Sequence, residues 1–288
     1  MTIGVAYIRR LASGDELWIG TDSRLTGDGN VWDSCPKILA MPRRDAVVAF
    51  SGSTGQAYPL MLQLAGAIRS YAPSMEGTLE FFDLVGHLER VVNVMMSNLA
   101  PDSLISAPAS PRVEFSTRGD VLILGGFSRS NGVVLRTLSF DKKAQRWRFG
   151  RTRGQIKKVG PNKPFRVFGD EASASRYANL LERRLGTVKK LRTDKPFEFE
   201  PLETLCEFLR CSESVQRPLP DGRRPHTTGG APQIVRLVAG AAVTPFVVEW
   251  EGGRFVGGRE YLGYEVLTAP AIRYDAAKRR ITVVAPQA

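Results

Sequence analysis

Residues 3–8, IGVAYI, leave no polar face for water. Ile3, Val5 and Tyr7 share one side of an extended strand, and Gly4, Ala6 and Ile8 share the other. Side chains alternate between the two faces of a sheet, so a strand apolar on both must be covered on both. Layers are therefore needed above and below the first strand, and this limits the architecture more than any other feature of the chain.

At 288 residues the chain is long enough to bury such a core without disulfides. Its three cysteines, Cys35, Cys206 and Cys211, are an odd number and do not suggest a disulfide framework. Cys206 and Cys211 fall on different faces of an expected helix, and His87 and His226 lie far from both, so no zinc constellation assembles. No P-loop follows a strand, and no G-x-G-x-x-G does either, so neither metal nor cofactor is expected. No basic leader precedes an apolar run, and no apolar run reaches the roughly 18 residues that span a bilayer. A cytoplasmic location away from membranes is the expectation.

The turn LASGDE and the strand LWIGTDSR complete a hairpin, and KILAM and DAVVAFSG follow as short strands. The period then changes. Leu60, Leu64 and Ile68 recur every four residues between Thr54 and Tyr71. Leu79, Phe82, Val85, Leu88, Val92, Met95 and Leu99 recur at steps of three and four. Both patterns predict amphipathic helices, with Pro59 in or near the first turn of the earlier one. VLILGGF, VVLRTLSF and WRFGRTR read as strands. EASASRYANLLERRLG reads as a helix that Gly186 would cap, and PLETLCEFLRC as a shorter one. PQIVRLV and PFVVEW return to strand, and GRFVGGREYLGYEV and RRITVV read as short strands of an added edge.

Strand clusters separated by helix pairs predict an α+β fold: a four-layer αββα sandwich, with two antiparallel sheets between helix layers. One domain over 1–250, with loop insertions near 101–118 and 212–228, and a C-terminal β extension over 251–288 are expected.

Forty Lys plus Arg against 29 Asp plus Glu give a formal charge of +11. The bases are spread in short clusters, densest at 147–158, where they interleave with aromatics. Contact with nucleic acid is one reading, and a solvated basic strand face is the other.

Thr2 raises a sharper possibility. Methionine is readily trimmed before a small residue, and an N-terminal threonine carries both its nucleophile, Oγ, and its base, the α-amine. That amine titrates near 7.7–8.0 when unperturbed, whereas a lysine at about 10.4 would need a large shift for the same work. Such a nucleophile needs a lysine beside Oγ, a carboxylate to hold the lysine, and a bare backbone N–H to receive an oxyanion. Asp22 and Arg24 end the second strand, Lys37 begins the third, and Gly52 ends the fourth.

Those residues, in that order over 1–56, resemble the proteasome β-type threonine peptidases and their bacterial relative, the HslV peptidase. The matching letters are Thr2-Ile3, Gly20-Thr21-Asp22-Ser23-Arg24, Lys37-Ile38 and Ser51-Gly52-Ser53. GDVLILGGFSRSNGVVLRTLSFD resembles the family's central hairpin. The resemblance implies Thr2 as nucleophile, Asp22 and Lys37 as its supports, the Gly52 N–H as oxyanion donor, and Arg24, Thr228 and Gly229 as supporting residues. It also implies a peptide or small-amide substrate and a homo-oligomer, a ring being one form of it. Two positions depart from the family. Pro225 stands where the aspartate of an Asp-x-x-Ser-Gly motif is expected, with Thr228 in place of the serine. Gly169-Asp170-Glu171 stands for Gly-Ser-Gly.

Plainer roles stay open for each residue. Thr2 would then be one more strand residue, Asp22 a turn residue, Lys37 an exposed strand start, Gly52 the step into a helix, and Gly229–Gly230 a bend. An inactive assembly or binding module with a basic surface, and a small-amide amidohydrolase, are the alternatives to a threonine peptidase.

Overall fold

A computed structural model describes residues 2–27, 30–52, 54–97, 121–141, 143–151, 164–190, 193, 195–211, 228–265 and 268–285. The insertions expected near 101–118 and 212–228 lie outside these residues, apart from Thr228, as do Pro225, His226 and the basic stretch after Arg151. The described residues form a mixed α/β structure with five helices and four sheets.

In chain order the first strands are β1 (Ile3–Arg9), β2 (Glu16–Thr21), β3 (Leu25–Gly27), β4 (Asn30–Trp32), β5 (Ile38–Ala40) and β6 (Ala46–Ser51). Helices α1 (Thr54–Arg69), α2 (Ala72–Met75) and α3 (Phe81–Ser97) follow. Next come β7 (Val121–Ser128), β8 (Gly132–Asp141), β9 (Arg146–Arg151) and β10 (Phe165–Gly169), then α4 (Glu171–Thr187) and α5 (Glu200–Arg210). The last strands are β11 (Gln233–Val238), β12 (Thr244–Pro245), β13 (Val247–Trp250), β14 (Gly253–Val256), β15 (Arg259–Glu260), β16 (Ala271–Asp275) and β17 (Arg280–Val284).

One antiparallel sheet runs β10-β1-β2-β11-β12 and a second runs β5-β6-β7-β8-β9. The two faces of β1 go where their chemistry requires. Ala6 and Ile8 join Leu17, Ile19 and Leu237 in an apolar cluster shared with Val47, Ala49, Ile123 and Leu135 of the second sheet. Ile3, Val5 and Tyr7 join Trp18 against Tyr177 and Leu181 of α4 and Leu202, Leu205 and Phe208 of α5. The outer face of the second sheet packs Val48, Phe50, Leu122 and Leu124 against Leu60, Leu64 and Ile68 of α1 and Leu84, Leu88 and Val92 of α3. Two adjacent glycines in β7 let both neighbours in close. A Cβ on Gly125 would stand 2.2 Å from Leu17 Cδ2, and one on Gly126 1.8 Å from Phe81 Cε2.

Three expectations need correction. Pro59 lies inside α1, past its first turn, which leaves the carbonyl of Gly55 without its usual amide donor. Gly186 does not cap α4: the helix runs to Thr187, and Lys189 takes the left-handed conformation, φ 54°. Lys190 N–H donates to Leu185 O at 2.9 Å and Lys189 N–H to Gly186 O at 3.1 Å, a Schellman closure built without glycine at the left-handed position.

The C-terminal strands are also not an added edge. They form a separate sheet, β15-β14-β13-β16-β17, in which β13 and β16 run parallel. Its Trp250, Ile272, Tyr274 and Ile281 join the cluster around α4 and α5. Glu203 in α5 accepts from Ile281 N–H at 3.2 Å and from Arg184 Nη1 at 3.0 Å. With the first sheet on one side and this one on the other, α5 buries Glu200, Glu203 and Cys206 as well as its leucines.

Candidate active site

The ends of β1 and β2 and the start of β5 meet around one carboxylate. Asp22 Oδ1 accepts from Lys37 Nζ at 2.8 Å and from the Ile3 N–H at 3.1 Å. The second of these is the amide of the Thr2–Ile3 peptide, so the lysine head and the first described peptide group converge on one oxygen. Asp22 Oδ2 accepts from the Gly229 N–H at 3.2 Å. Lys37 and Asp22 side chains are 1% and 0% exposed. Lys37 is therefore not the exposed strand start that its position would allow.

Burial pushes the Lys37 ammonium below the ordinary lysine value, and the adjacent Asp22 charge opposes that shift. Burial likewise raises Asp22, opposed by Lys37 and by the Ile3 and Gly229 amides. Three donors on one carboxylate favour its ionised form, and desolvation makes the lysine proton easier to remove than in water.

Backbone bonds fix these pieces. Asp22 N–H donates to Ile3 O at 3.0 Å, Ser23 N–H to Gly229 O at 3.1 Å, and Cys35 N–H to Ser23 O at 3.0 Å. Gln233, 2% exposed, was not among the expected residues. Its Oε1 accepts from Lys37 N–H at 2.9 Å, and its Nε2 donates to Cys35 O at 2.6 Å. An amide in PQIVRLV, among residues that otherwise pack inward, was the one sequence signal for it. Tyr58 OH on α1 donates to Pro36 O at 2.8 Å and accepts from Cys35 Sγ at 2.6 Å, which steadies the same segment from the helix.

Thr2 is 3% exposed. Its carbonyl accepts from Asp170 N–H at 3.2 Å, and a Cβ on Gly169 would stand 2.1 Å from that oxygen. Asp170 also caps α4 by accepting from Ser173 N–H at 3.0 Å. Asp170 Oδ2 and Thr228 Oγ1 are buried without a hydrogen-bond partner among the described residues. Gly229 and Gly230 do more than bend the chain. A Cβ on Gly229 would stand 2.6 Å from Arg24 Cζ, and one on Gly230 2.3 Å from Ser23 Oγ.

The structure thus brings Asp22, Lys37 and Gly229 together beside Thr2. Arg24 makes a two-point pair with Asp33, at 2.6 and 2.7 Å. Gly52 follows β6 in the exposed turn before α1, with φ 106°, and Phe50 N–H donates to Lys37 O at 3.2 Å, so Gly52 lies two residues beyond Lys37's neighbour. Among the described residues no cluster of three or more His, Cys, Asp or Glu could hold a metal ion, and no helix is long and apolar enough to cross a membrane. No protein-family model matches this chain, and no curated protein matches it.

Proposed function

We propose that the chain is an N-terminal-nucleophile hydrolase of the threonine type, on a four-layer αββα sandwich, cleaving peptide or amide bonds after loss of Met1. The observation that carries this reading is the buried Lys37–Asp22 pair, 2.8 Å long, bonded through Asp22 to the peptide that follows Thr2. A water-excluded cation next to a strand terminus is costly unless paired, and a structural pair could as well be apolar.

In the proposed reaction Thr2 Oγ attacks the acyl carbon and its proton passes to the α-amine of the same residue. Lys37, held charged by Asp22, favours the alkoxide and lowers the amine. The Gly52 N–H receives the oxyanion, and the ammonium then returns its proton to the leaving amine. The remaining ester on Oγ is hydrolysed by water, with the α-amine as base. The buried, unpartnered oxygens of Asp170 and Thr228 are acceptors suited to the new ammonium, and Asp170 then supplies a carboxylate that position 225 does not. The substrate is a peptide or small amide, and a homo-oligomer, with a ring as one form of it, is part of the same proposal.

The test is intact mass followed by labelling with a β-lactone. A mass lacking Met1, one adduct on Thr2, and none in Thr2→Ala are expected. Retained Met1 or equal labelling of Thr2→Ala refutes the mechanism. The 3% exposure of Thr2 favours a second reading, an inactive assembly or binding module with a basic surface. A trimmed chain that takes no label, and that binds nucleic acid in a salt-dependent manner, would support it.

A further inference from the structure

The C-terminal sheet reaches the catalytic pair. Strands β14 and β15 are joined by Gly257 and Gly258, with φ values of 57° and 89°, the conformation of a tight two-residue hairpin turn. The two glycines sit in opposite surroundings. Gly257 is exposed, and a Cβ there would meet nothing within 4 Å. Gly258 is buried, and a Cβ there would stand 2.6 Å from Ser23 Cβ and 2.9 Å from Gln233 Nε2.

Ser23 and Gln233 are the two residues through which the Asp22 and Lys37 segments are tied. Ser23 follows Asp22, takes the Cys35 N–H on its carbonyl, and donates through Oγ to Ala231 O at 2.8 Å. Gln233 bonds both the carbonyl of Cys35 and the amide of Lys37. The turn seals these bonds from water and leaves the Gln233 amide no room to swing out.

We propose that Gly258 is a positioning residue for the Lys37–Asp22 pair, closing the hairpin turn over Ser23 and Gln233 and thereby holding the two segments that carry it. Its catalytic consequence rests on the hydrolase reading above; its geometric consequence does not. A side chain at 258 would push the turn off Ser23 and Gln233, admit water to Lys37, and loosen the alignment on Thr2.

Gly257→Ala is the neighbouring control, because it puts a methyl at positive φ in the same turn but in open space. In Gly258→Ala, β-lactone labelling of Thr2 falls by about a hundredfold, and the alkaline limb of its pH profile moves up toward that of an ordinary lysine. Amide hydrogen exchange at Cys35 and Lys37 rises by about tenfold or more. In Gly257→Ala all three stay near wild type. Faster exchange in Gly258→Ala together with an unlabelled wild type would refute the hydrolase reading and leave the positioning role standing. Equal exchange in the two variants, or labelling of Gly258→Ala as fast as that of a wild type that does take the label, overturns the proposal. If Gly258→Ala does not fold, Arg259→Ala removes the exposed pair with Glu265 and loosens the same hairpin more gently. The same exchange shift at Cys35 and Lys37 is then expected, and its absence overturns the proposal.

Discussion

Replacing Lys37 by methionine keeps the stem and removes the charge. Asp22 would then be fully buried with only the Ile3 and Gly229 amides, at 3.1 and 3.2 Å, to hold it. Breaking a buried pair on one side costs about 3–5 kcal/mol, because the other charge is left uncompensated. Asp22 has an escape, since burial already raises its pKa and Lys37 is the largest influence pulling it down. An acid whose folded pKa lies above its unfolded value, about 3.9, gains stability as pH falls through the folded value. The deficit of Lys37→Met is therefore largest at pH 8 and shrinks by pH 5. Asp22→Asn/Lys37→Met removes both charges and retains a deficit of only about 1–2 kcal/mol, because the new NH2 replaces one of two oxygens that each accept a backbone amide and leaves the Ile3 or Gly229 N–H facing a donor. Urea unfolding of wild type and both variants at the two pH values measures this. A deficit below about 1 kcal/mol, or one equal at both pH values, would show that Asp22 carries no buried charge.

Four further outcomes follow. Labelling of Thr2 rises with pH as its amine deprotonates and falls as Lys37 loses its proton. Burial lowers Lys37, so the fall begins below about 10.4, and a limb at or above that value contradicts the role. Gly52→Ala forces an L residue to φ 106°, reorients the N–H, and lowers labelling by about a hundredfold. Stopped labelling assays on folded protein would read this. Glu203→Ala strips the acceptor from Ile281 and Arg184, costing about 2–3 kcal/mol and speeding proteolysis within residues 253–284. Gly126→Ala drives a methyl into Phe81 and lowers stability by about 1–3 kcal/mol in chemical denaturation, through overpacking.

Much of the architecture was legible because hydrophobic period is a local property. The two faces of β1 sort into two clusters as their alternation requires, and α1 buries the residues spaced four apart. The end of α4 was not legible. The hydrogen bonds of Lys189 and Lys190 fix a left-handed lysine there, whereas sequence favours the glycine at 186. The place of the C-terminal strands was hidden for a different reason. Short strands declare their own pairing through turns such as Gly257–Gly258 but not which helix they will cover, and the apolar residues of α5 read as one face when two are buried. In the site, strand ends and charge pointed to Asp22 and Lys37, because a lysine at a strand start and an aspartate at a strand end are visible in order. Gln233 reaches Cys35 and Lys37 across 198 and 196 residues, with only its amide in an apolar strand to hint at it, and nothing local marks the contact of Gly258 with Ser23. Arg24 illustrates the converse: its place after the strand is plain in the sequence, yet its partner is Asp33, nine residues on.

The close approach of Gly258 to Ser23 also bears on how the molecule is made. Asp22 and Lys37 leave the ribosome early, but the turn that locks them follows more than two hundred residues later. During vectorial synthesis the nascent chain thus carries its two charges without their clamp, and the pair is enclosed only when the hairpin has emerged and docked. Whatever the aligned pair does is therefore withheld from the shorter nascent chain.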